Sequence, residues 1–450
     1  MNKYDLIVIG AGTGGSIAAK TAAKMGYKVC LIDKKRKDEI GDKVCGDAIG
    51  KHHFDTIGIT PPRGSELASI SRGIEIYSPN LETCFRVEGE GLHGFMVNRL
   101  ELGQRFLNEA IDEGVELLDK TRVLTPIIKN NFVQGVSVRN NDTSTITEYN
   151  GKLVIDASGM TAILRKQTPP NWGIEREILG EDIEVCYREI RTVSDIEEPS
   201  YLKIFLNQDI TPGGYCWIFP KGERTVNVGL GIQMKRGAPN PKEQFDKHVL
   251  SNKLFNNSKK IRGQGGIVST RCPISSMVGN GVLFVGDVAC QPNPIHGGGI
   301  GPSMISGHLA AKIACEAIDK NDVSQTGLWS YNKEYMDIYG AKTASLYLFS
   351  IFLQKCTNTH LNYGMSNRLI KEEDILKASL GEDLKLNITE KALRVFRGLK
   401  QLSFLRSLGV TAEKMIEIKS MYQNFPDPQE HREWITKTGS ILREMKEKRF

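Results

Sequence analysis

The residues best suited to binding a nucleotide stand near the start of the chain. An apolar run, YDLIVI, leads into Gly10, Gly12 and Gly15, and a small-residue helix pattern and a second apolar run ending in Asp33 follow. In such a strand–turn–helix–strand unit the first glycine permits the turn, the second lets the backbone approach a pyrophosphate, and the third lets helix and strand pack closely. The helix N-terminus stabilises phosphate charge, and the acid accepts a hydrogen bond from a ribose. The unit predicts a dinucleotide site, for which NAD and FAD both qualify.

A second glycine-rich segment, far downstream, favours FAD. The apolar run GVLFV ends in Gly286 and Asp287, and the next loop, which contains Gly297 to Gly301, opens another small-residue helix. An aspartate at a strand end can bind a ribityl hydroxyl, and backbone amides at a helix start can approach a flavin ring or its phosphates. An NAD dehydrogenase would instead complete its nucleotide domain with consecutive strand–helix units. The late return of nucleotide motifs therefore favours FAD.

These motifs resemble those of the FAD-dependent family that contains p-hydroxybenzoate hydroxylase. A third segment, Asp156-Ala-Ser-Gly159 running on to Arg165, is similar to the family's Asp-Gly segment, although Ala157 stands where a glycine is usual. The resemblance implies an α/β protein with α+β elements: a Rossmann-type FAD domain, an inserted β-sheet substrate domain and a helical C-terminal region. It implies FAD contacts from Gly10, Gly12, Gly14, Gly15, Asp33, Lys34, Cys45, Gly46, Asp47, Arg99, Val123, Asp156, Gly159, Gly286, Asp287, Gly298, Gly299 and Ile300.

Within that family the chain most resembles the geranylgeranyl reductases of archaeal lipid and plant pigment synthesis. The segment KVCGD, residues 43–47, resembles the Cys-Gly segment that lies against the flavin in these enzymes. The segment YCWIFP, residues 215–220, resembles their Y-x-W-x-F-P motif, which lines the tunnel for the prenyl chain. The implied tunnel residues are Tyr215, Trp217, Phe219 and Pro220.

The resemblance implies saturation of isolated C=C bonds in geranylgeranyl chains. Archaeal membrane phospholipids are the leading carriers, with geranylgeranyl diphosphate or a pigment tail as alternatives. Reduced flavin would supply hydride from N5, and a proton would reach the other carbon through a transition state of tertiary-cation character, which a dry aromatic tunnel can stabilise. Cys45 and His296 are the candidate catalytic residues, with Tyr215 or water as further proton sources. Cys45 also fits a small buried residue, and His296 also fits a side chain that satisfies only its own loop.

Two other functions fit the same fold. An FAD-dependent monooxygenase or halogenase is one, because the segment 214–220 distantly resembles the halogenase G-x-x-W-x-x-x-I-P motif, with a shorter spacing and Phe219 for isoleucine. A non-catalytic prenyl-binding protein is the other, although an intact nucleotide fingerprint argues against it. A reductase would draw electrons from NAD(P)H or ferredoxin, and the absence of a second fingerprint leaves both open.

Composition narrows the cellular setting. The 59 Lys and Arg against 53 Asp and Glu leave a net charge of +6 on 450 residues, which is too dilute to indicate nucleic-acid binding. The sequence contains no run of about 18 apolar residues, so no membrane span is predicted. The first strand begins too early to leave room for a signal peptide. We therefore expect a cytoplasmic protein with peripheral contact to an anionic membrane surface. The nine cysteines show no C-x-x-C spacing and the histidines no ligand spacing, so we expect no metal site.

The order of the motifs predicts interleaved domains. The FAD domain takes residues 1–70, 95–165 and 265–330, the substrate domain takes 71–94 and 170–264, and 331–450 is helical. One apolar run in the helical part, ASLYLFSIFL at 344–353, is too short to span a bilayer. A buried helix is its first interpretation, and a tunnel mouth or membrane-facing helix is the alternative.

Overall fold

Three sheets and a set of helices build the fold, which the computed structural model describes for residues 3–89, 93–380 and 399–448. The strands are Lys3–Ile9 (β1), Val29–Ile32 (β2), Ala48–Gly50 (β3), Leu67–Ser71 (β4), Gly73–Tyr77 (β5), Cys84–Glu88 (β6), Gly94–Val97 (β7), Glu116–Leu118 (β8), Thr121–Lys129 (β9), Phe132–Asn140 (β10), Ile146–Asp156 (β11), Ile183–Thr192 (β12), Tyr201–Phe205 (β13), Cys216–Pro220 (β14), Thr225–Gln233 (β15), Lys259–Ser269 (β16), Val278–Gly279 (β17) and Val282–Phe284 (β18). The helices are Thr13–Lys24 (α1), His52–Thr56 (α2), Arg99–Asp112 (α3), Pro241–Gln244 (α4), Ile300–Asp319 (α5), Ser330–Tyr335 (α6), Ala341–Lys355 (α7), Asn358–Ser366 (α8), Glu372–Leu380 (α9), Leu399–Gln423 (α10) and His431–Glu447 (α11).

The largest sheet has eight strands and contains the N-terminal nucleotide motif. β1 pairs in parallel with β2 and with β11, and β11 pairs in parallel with β18. The apolar runs of these strands are buried, because α1 and α5 pack against each other and against β1 and β11. Since the four strands run the same way, their carboxyl ends and the loops that follow meet at one edge of the sheet. The predicted α/β class is confirmed.

The seven-stranded sheet has the order β16-β12-β15-β14-β13-β5-β6 and is mostly antiparallel. One set of its side chains packs on a cluster that includes Phe245, Val249 and Phe255. On the other side, Trp217 and Phe219 pack on Met96 of β7, which belongs to the small sheet β3-β7-β4. The small sheet therefore joins the seven-stranded sheet to the nucleotide-binding edge.

The C-terminal helices pack beside both large sheets. The apolar run at 344–353 lies in α7, which packs on α10 and α11 and is largely buried. Its first interpretation, a buried helix, is therefore correct, and part of its surface also lines the cavity described below. Among the helices of the described residues, none combines the length and the apolar character needed to cross a membrane.

Candidate active site

A cavity of about 630 Å³ lies where the sheets and the C-terminal helices meet. Its walls include the loops after β1, β11 and β18, which end at the shared edge of the eight-stranded sheet. They also include side chains of β12 and β14 and, beyond these, of α7, α8 and α10. One cavity thus connects the nucleotide-binding loops with an apolar region under the C-terminal helices.

The start of α1 forms the first wall of this cavity. Gly12, Thr13 and Gly14 line it, and no atom lies within 4 Å of where a Cβ of Gly12 would stand. Arg99 lines the same region with 8% of its surface exposed, and its Nη2 donates a hydrogen bond to Thr13 Oγ1 at 3.1 Å. Its Nε and Nη1 are buried and have no hydrogen-bond partner among the described residues. A guanidinium in this state beside a helix N-terminus suits an anionic group such as a phosphate.

The two aspartates at the ends of β2 and β11 organise the loops around them. Asp33 accepts hydrogen bonds from the Ala11 amide at 2.7 Å and the Lys35 amide at 2.8 Å. Asp156 is fully buried, and its carboxylate accepts bonds from the amides of Ser158, at 3.0 Å, and Leu164, at 2.8 Å. Burial raises the pKa of Asp156, against the lowering effect of these hydrogen bonds. Asp156 therefore shapes its own loop and does not line the cavity.

Several other predicted residues also lie outside the cavity wall. Gly15 packs on the Gly10 carbonyl with no room for a Cβ, so this pair sets how α1 meets the turn. Val123 is buried in β9, and Lys34 is exposed. The carbonyl of Pro220 accepts a hydrogen bond from Ser69 Oγ at 2.9 Å. The predicted residues outside the wall are Gly10, Gly15, Asp33, Lys34, Val123, Asp156 and Pro220.

The loops after β18 form the next wall. Gly286, Asp287, Gly298, Gly299 and Ile300 line it, together with Gly159 from the loop after β11. The Asp287 carboxylate pairs with Lys43 Nζ at 2.7 Å, which joins this loop to the segment 43–47.

His296 belongs to the same loop and bends back on it. Its Nδ1 accepts a hydrogen bond from the Gly298 amide at 3.1 Å. Burial, followed by the nearby Lys342 ammonium, lowers the pKa of His296 to about 4. The imidazole is therefore uncharged at neutral pH, which favours a loop-shaping role over proton donation.

A buried polar network fixes the segment that carries Cys45. Asp47 adopts a left-handed backbone conformation, with a φ of 64°, and its carboxylate pairs with Lys221 Nζ at 2.8 Å. Asn227 Nδ2 donates both to Asp47 Oδ2, at 2.9 Å, and to the Cys45 carbonyl, at 2.8 Å. The network ties Cys45 and Gly46 to β14 and β15, and both residues line the cavity.

The aromatic residues of the segment 215–220 form the middle of the cavity wall. Tyr215, Trp217 and Phe219 line it, with ring centroids 6.0 and 6.2 Å apart in succession. The Tyr215 hydroxyl donates to the His296 carbonyl at 2.8 Å, and Trp217 Nε1 donates to Asn227 Oδ1 at 3.0 Å. The polar atoms of Tyr215 and Trp217 are thus satisfied by the protein, while the ring faces remain available to an apolar guest.

Comparisons with known proteins identify the family. A model of the geranylgeranyl reductase catalytic domain matches residues 182–268, and a model of glucose inhibited division protein A matches residues 5–58. The chain is 42% identical to a digeranylgeranylglycerophospholipid reductase of Sulfolobus acidocaldarius over 98% of both chains. The chain belongs to the geranylgeranyl reductase family. A second reductase of that name, from Methanosphaerula palustris, is 35% identical over 74% of this chain and 82% of its own.

Solved structures agree with this family. A geranylgeranyl bacteriochlorophyll reductase-like protein from Thermoplasma acidophilum superimposes on this chain with a TM-score of 0.75 and 26% sequence identity. The match covers 91% of this chain and 100% of the other. A flavin-dependent brominase superimposes with a TM-score of 0.63 at 18% identity, over 84% of this chain and 92% of its own. The brominase shows a shared fold alone.

The cofactor of this FAD-dependent family fits the residues present in the reductase. Glycines of three separate loops line one side of the cavity, and at Gly12 open space lies where a side chain would begin, so that a diphosphate can approach the backbone there: Gly12, Gly14, Gly159, Gly286, Gly298 and Gly299. Arg99 lines the same cavity, and two of its guanidinium nitrogens have no hydrogen-bond partner among the described residues. A partner that is anionic at one end and planar at the other satisfies both observations.

Three cavity residues on β12 were not among the predicted site residues. Glu184, Cys186 and Arg188 alternate along the strand and line the cavity together. They reach it across Gly231 and Gly229 of β15, because a Cβ at Gly231 would stand 2.8 Å from Glu184 Oε2, and one at Gly229 would collide with Trp217 and Arg188. The alternating acid and base of EVCYR and the two facing glycines are visible in the sequence, but nothing local says that this face is buried.

The far end of the cavity is apolar. Leu346 and Phe349 of α7 line it, as do Leu361 and Met365 of α8 and Phe404 of α10. Leu361 and Phe404 belong to the hydrophobic cluster under the C-terminal helices, and Phe349 lies against it. Such a surface suits a hydrocarbon chain and excludes water.

Proposed function

We propose that the reductase saturates the isolated C=C bonds of geranylgeranyl chains carried by archaeal glycerophospholipids, with FAD as its cofactor. The observation that carries the proposal is the continuity of the cavity from bare glycine loops, past three aromatic rings, to an apolar end under the C-terminal helices. The names of the relatives at 42% and 35% identity support the substrate class.

The nucleotide-binding edge would hold the cofactor. The start of α1 and Arg99 would bind the diphosphate, and Asp33 retains acceptor capacity for a ribose hydroxyl. Asp287 and the amides at Gly298 and Gly299 would contact the ribityl chain and the ring. When bound and reduced, FAD supplies a hydride to an alkene carbon. The protein's part is to orient the chain and to keep water away.

The aromatic segment would hold the prenyl chain during reaction. An unactivated alkene has no carbonyl to accept charge, so positive charge develops on carbon in the transition state. The faces of Tyr215, Trp217 and Phe219 can stabilise that charge in a site from which water is excluded. We propose that the segments 1–70, 95–165 and 265–330 form the cofactor domain and that 71–94 and 170–264 form the substrate domain. The helical region would be 331–450, of which 381–398 and 449–450 lie outside the described residues, and its described helices cover the far end of the cavity.

The electron donor and the contact with the membrane are further parts of the proposed function. NAD(P)H or a ferredoxin would reduce the FAD, and the protein would meet its lipid by peripheral contact with the membrane surface, which its charge of +6 favours. No nucleic acid takes part. Comparing NADPH, reduced ferredoxin and dithionite under argon identifies the donor by the rate of FAD bleaching with each. Co-sedimentation with vesicles of anionic and of neutral lipids tests the membrane contact.

The function is tested by following FAD after reduction. Protein reduced without oxygen and then mixed with a geranylgeranyl glycerophospholipid should regain oxidised FAD absorbance at a rate that depends on lipid concentration, whereas a fully saturated lipid of the same headgroup should leave it reduced. Lipid-dependent oxygen uptake with no anaerobic reoxidation would instead support a monooxygenase. Purified protein that binds the lipid but no FAD would support a prenyl-binding protein.

A further inference from the structure

An unpartnered carboxylic acid lies in the wall of the cavity. Glu184 is 5% exposed, and its side chain lines the cavity from β12. Within residues 3–89, 93–380 and 399–448 it has neither a hydrogen bond nor an ion pair, and burial raises its pKa to about 8. An ionised carboxylate would be costly in these surroundings, so the group holds its proton at neutral pH.

Its position beside the cofactor loop is set by a glycine. Because Gly231 has no side chain, the Glu184 carboxyl extends over β15 toward Tyr215, whose carbonyl accepts the Gly231 amide at 3.0 Å. Tyr215 in turn donates to His296, in the loop that leads to Gly298 and Gly299. The carboxyl is therefore separated by one side chain from the loop that would hold the ring of FAD.

The groups that face Glu184 do not compete for its proton. Cys186 on the same strand and Tyr215, which immediately precedes β14, have pKa values raised by burial first and by the nearness of Glu184 second. Cys45, in the segment 43–47, lies near Cys186 and Tyr215. Arg188 lies four residues further along the same face of β12, and Lys342 of α7 lines the same cavity.

The other candidate donors are worse matched to the reaction. His296 is uncharged at neutral pH, and Tyr215 binds its proton too tightly to give it up readily. A general acid works best when its pKa lies near the working pH. Among the described cavity groups, Glu184 and the ammonium of Lys342 both have a pKa of about 8, and Glu184 is the one that lies beside Tyr215 of the aromatic segment.

We propose that Glu184 is the general acid that protonates the alkene. The proposal rests on the proposed function. One alkene carbon receives the hydride that reduced FAD supplies, and the other forms a C–H bond with the Glu184 proton as the π bond is consumed. The hydride would carry two electrons from the reduced cofactor to the alkene, which would leave oxidised FAD and a saturated bond. The carboxylate left on Glu184 would regain a proton from water before the next turnover.

The kinetic test compares two isosteric changes. Glu184→Gln keeps the volume of the side chain and removes the proton, whereas Glu181→Gln alters an exposed residue that pairs with Lys446. We expect anaerobic FAD reoxidation by the geranylgeranyl lipid to slow about 100-fold or more in E184Q, to recover in part in E184D, and to stay within about twofold of wild type in E181Q. FAD content and reduction by dithionite should be equal in all four proteins.

A second measurement reads the carboxyl itself. Infrared difference spectra of the oxidised protein, with and without ¹³C-labelled glutamate, should show a protonated carboxyl at pH 7 that titrates near pH 8 and is missing in E184Q. The proposal is overturned if E184Q keeps the wild-type rate, or if the carboxyl is ionised at pH 7. A wild-type protein that reduces no prenyl chain overturns the proposed function, and with it the role of Glu184, even if the infrared titration is as expected.

Discussion

At the scale of the residue, the cavity separates charged groups by what they can do. Arg99 keeps two donors buried without partners at the nucleotide end, whereas Glu184 keeps a proton in the apolar middle. Asp47 and Lys221 form an ion pair, and Asn227 donates a hydrogen bond to the carbonyl of Cys45. Diphosphate binding is therefore expected from Arg99, and proton transfer is expected from Glu184.

Replacing Arg99 should weaken FAD binding. In Arg99→Ala the diphosphate loses charge-assisted hydrogen bonds worth about 1.5–3 kcal/mol, so the Kd for FAD should rise roughly 10- to 100-fold. Quenching of FAD fluorescence on titration with apoprotein measures this, and Arg122→Ala, an exposed arginine on β9, is the matched control. Equal affinities in the two variants would contradict the assignment of Arg99.

Removing the Glu184 carboxyl should change how stability depends on pH. Its folded pKa of about 8 exceeds the ordinary value of 4.5, so its stabilising contribution is full below pH 4.5 and is lost as the pH rises through 8. The unfolding temperature of E184Q minus that of wild type should therefore be larger at about pH 9 than at about pH 4.5. Thermal unfolding followed by circular dichroism measures the difference, and parallel curves at the two pH values would show that Glu184 is not buried as a neutral acid.

At the level of the secondary-structure element, β15 makes room for the cavity because two of its residues are glycines. Gly229 and Gly231 leave one face of the strand bare, so that side chains from β12 and rings from β14 share the space above it. The backbone at Gly231 needs no special conformation, because its φ is not in the left-handed region. Gly231 is therefore needed for the space beside Glu184 and Cys186, which a side chain at this position would occupy.

A bulky residue at position 231 should block the chain without expelling the cofactor. Gly231→Leu would place its side chain against Glu184 and Cys186, so turnover of the geranylgeranyl lipid should fall at least about tenfold. FAD content should stay near that of wild type. Gly439→Leu, in α11 at a position with no atom within 4 Å of the added Cβ, is the control for the loss of a glycine. Wild-type turnover by Gly231→Leu would show that the prenyl chain does not pass beside position 231.

At the scale of the whole molecule, the C-terminal helices close the cavity on the side away from the nucleotide-binding edge. Leu361, Phe404 and Leu408 bring α8 and α10 together over its apolar end. The length of chain that the cavity accepts should therefore be set here and not at the aromatic segment.

Filling this end should select for shorter chains. In Leu408→Trp the added ring reduces the space under α10, so we expect geranylgeranyl lipids to lose at least about tenfold in kcat/KM while geranyl analogues keep most of theirs. Parallel assays with both substrates measure the ratio. An unchanged ratio with an intact fold would show that the chain does not reach this end.

Features carried by a few consecutive residues could be predicted from the sequence, whereas features that depend on residues far apart in the chain could not. The glycine motifs at Gly12 and Gly286 carry their chemistry in a few consecutive residues, and the structure places both at the cavity. Glu184 escaped prediction because an acid in an alternating strand fits a solvent-facing position equally well. Its position over β15 depends on Gly231, which is far away in the sequence. Asp156 shows the opposite case, because a motif aspartate turned inward to bind its own loop.

The central claim is that this chain reduces prenyl double bonds with electrons carried by FAD. The most direct test is the mass of a geranylgeranyl glycerophospholipid after incubation without oxygen with the reduced protein and excess dithionite. We expect products heavier by successive pairs of hydrogen atoms, up to one pair for each double bond. A lipid of unchanged mass in the presence of FAD-loaded protein, or one that gains oxygen when air is admitted, would contradict it.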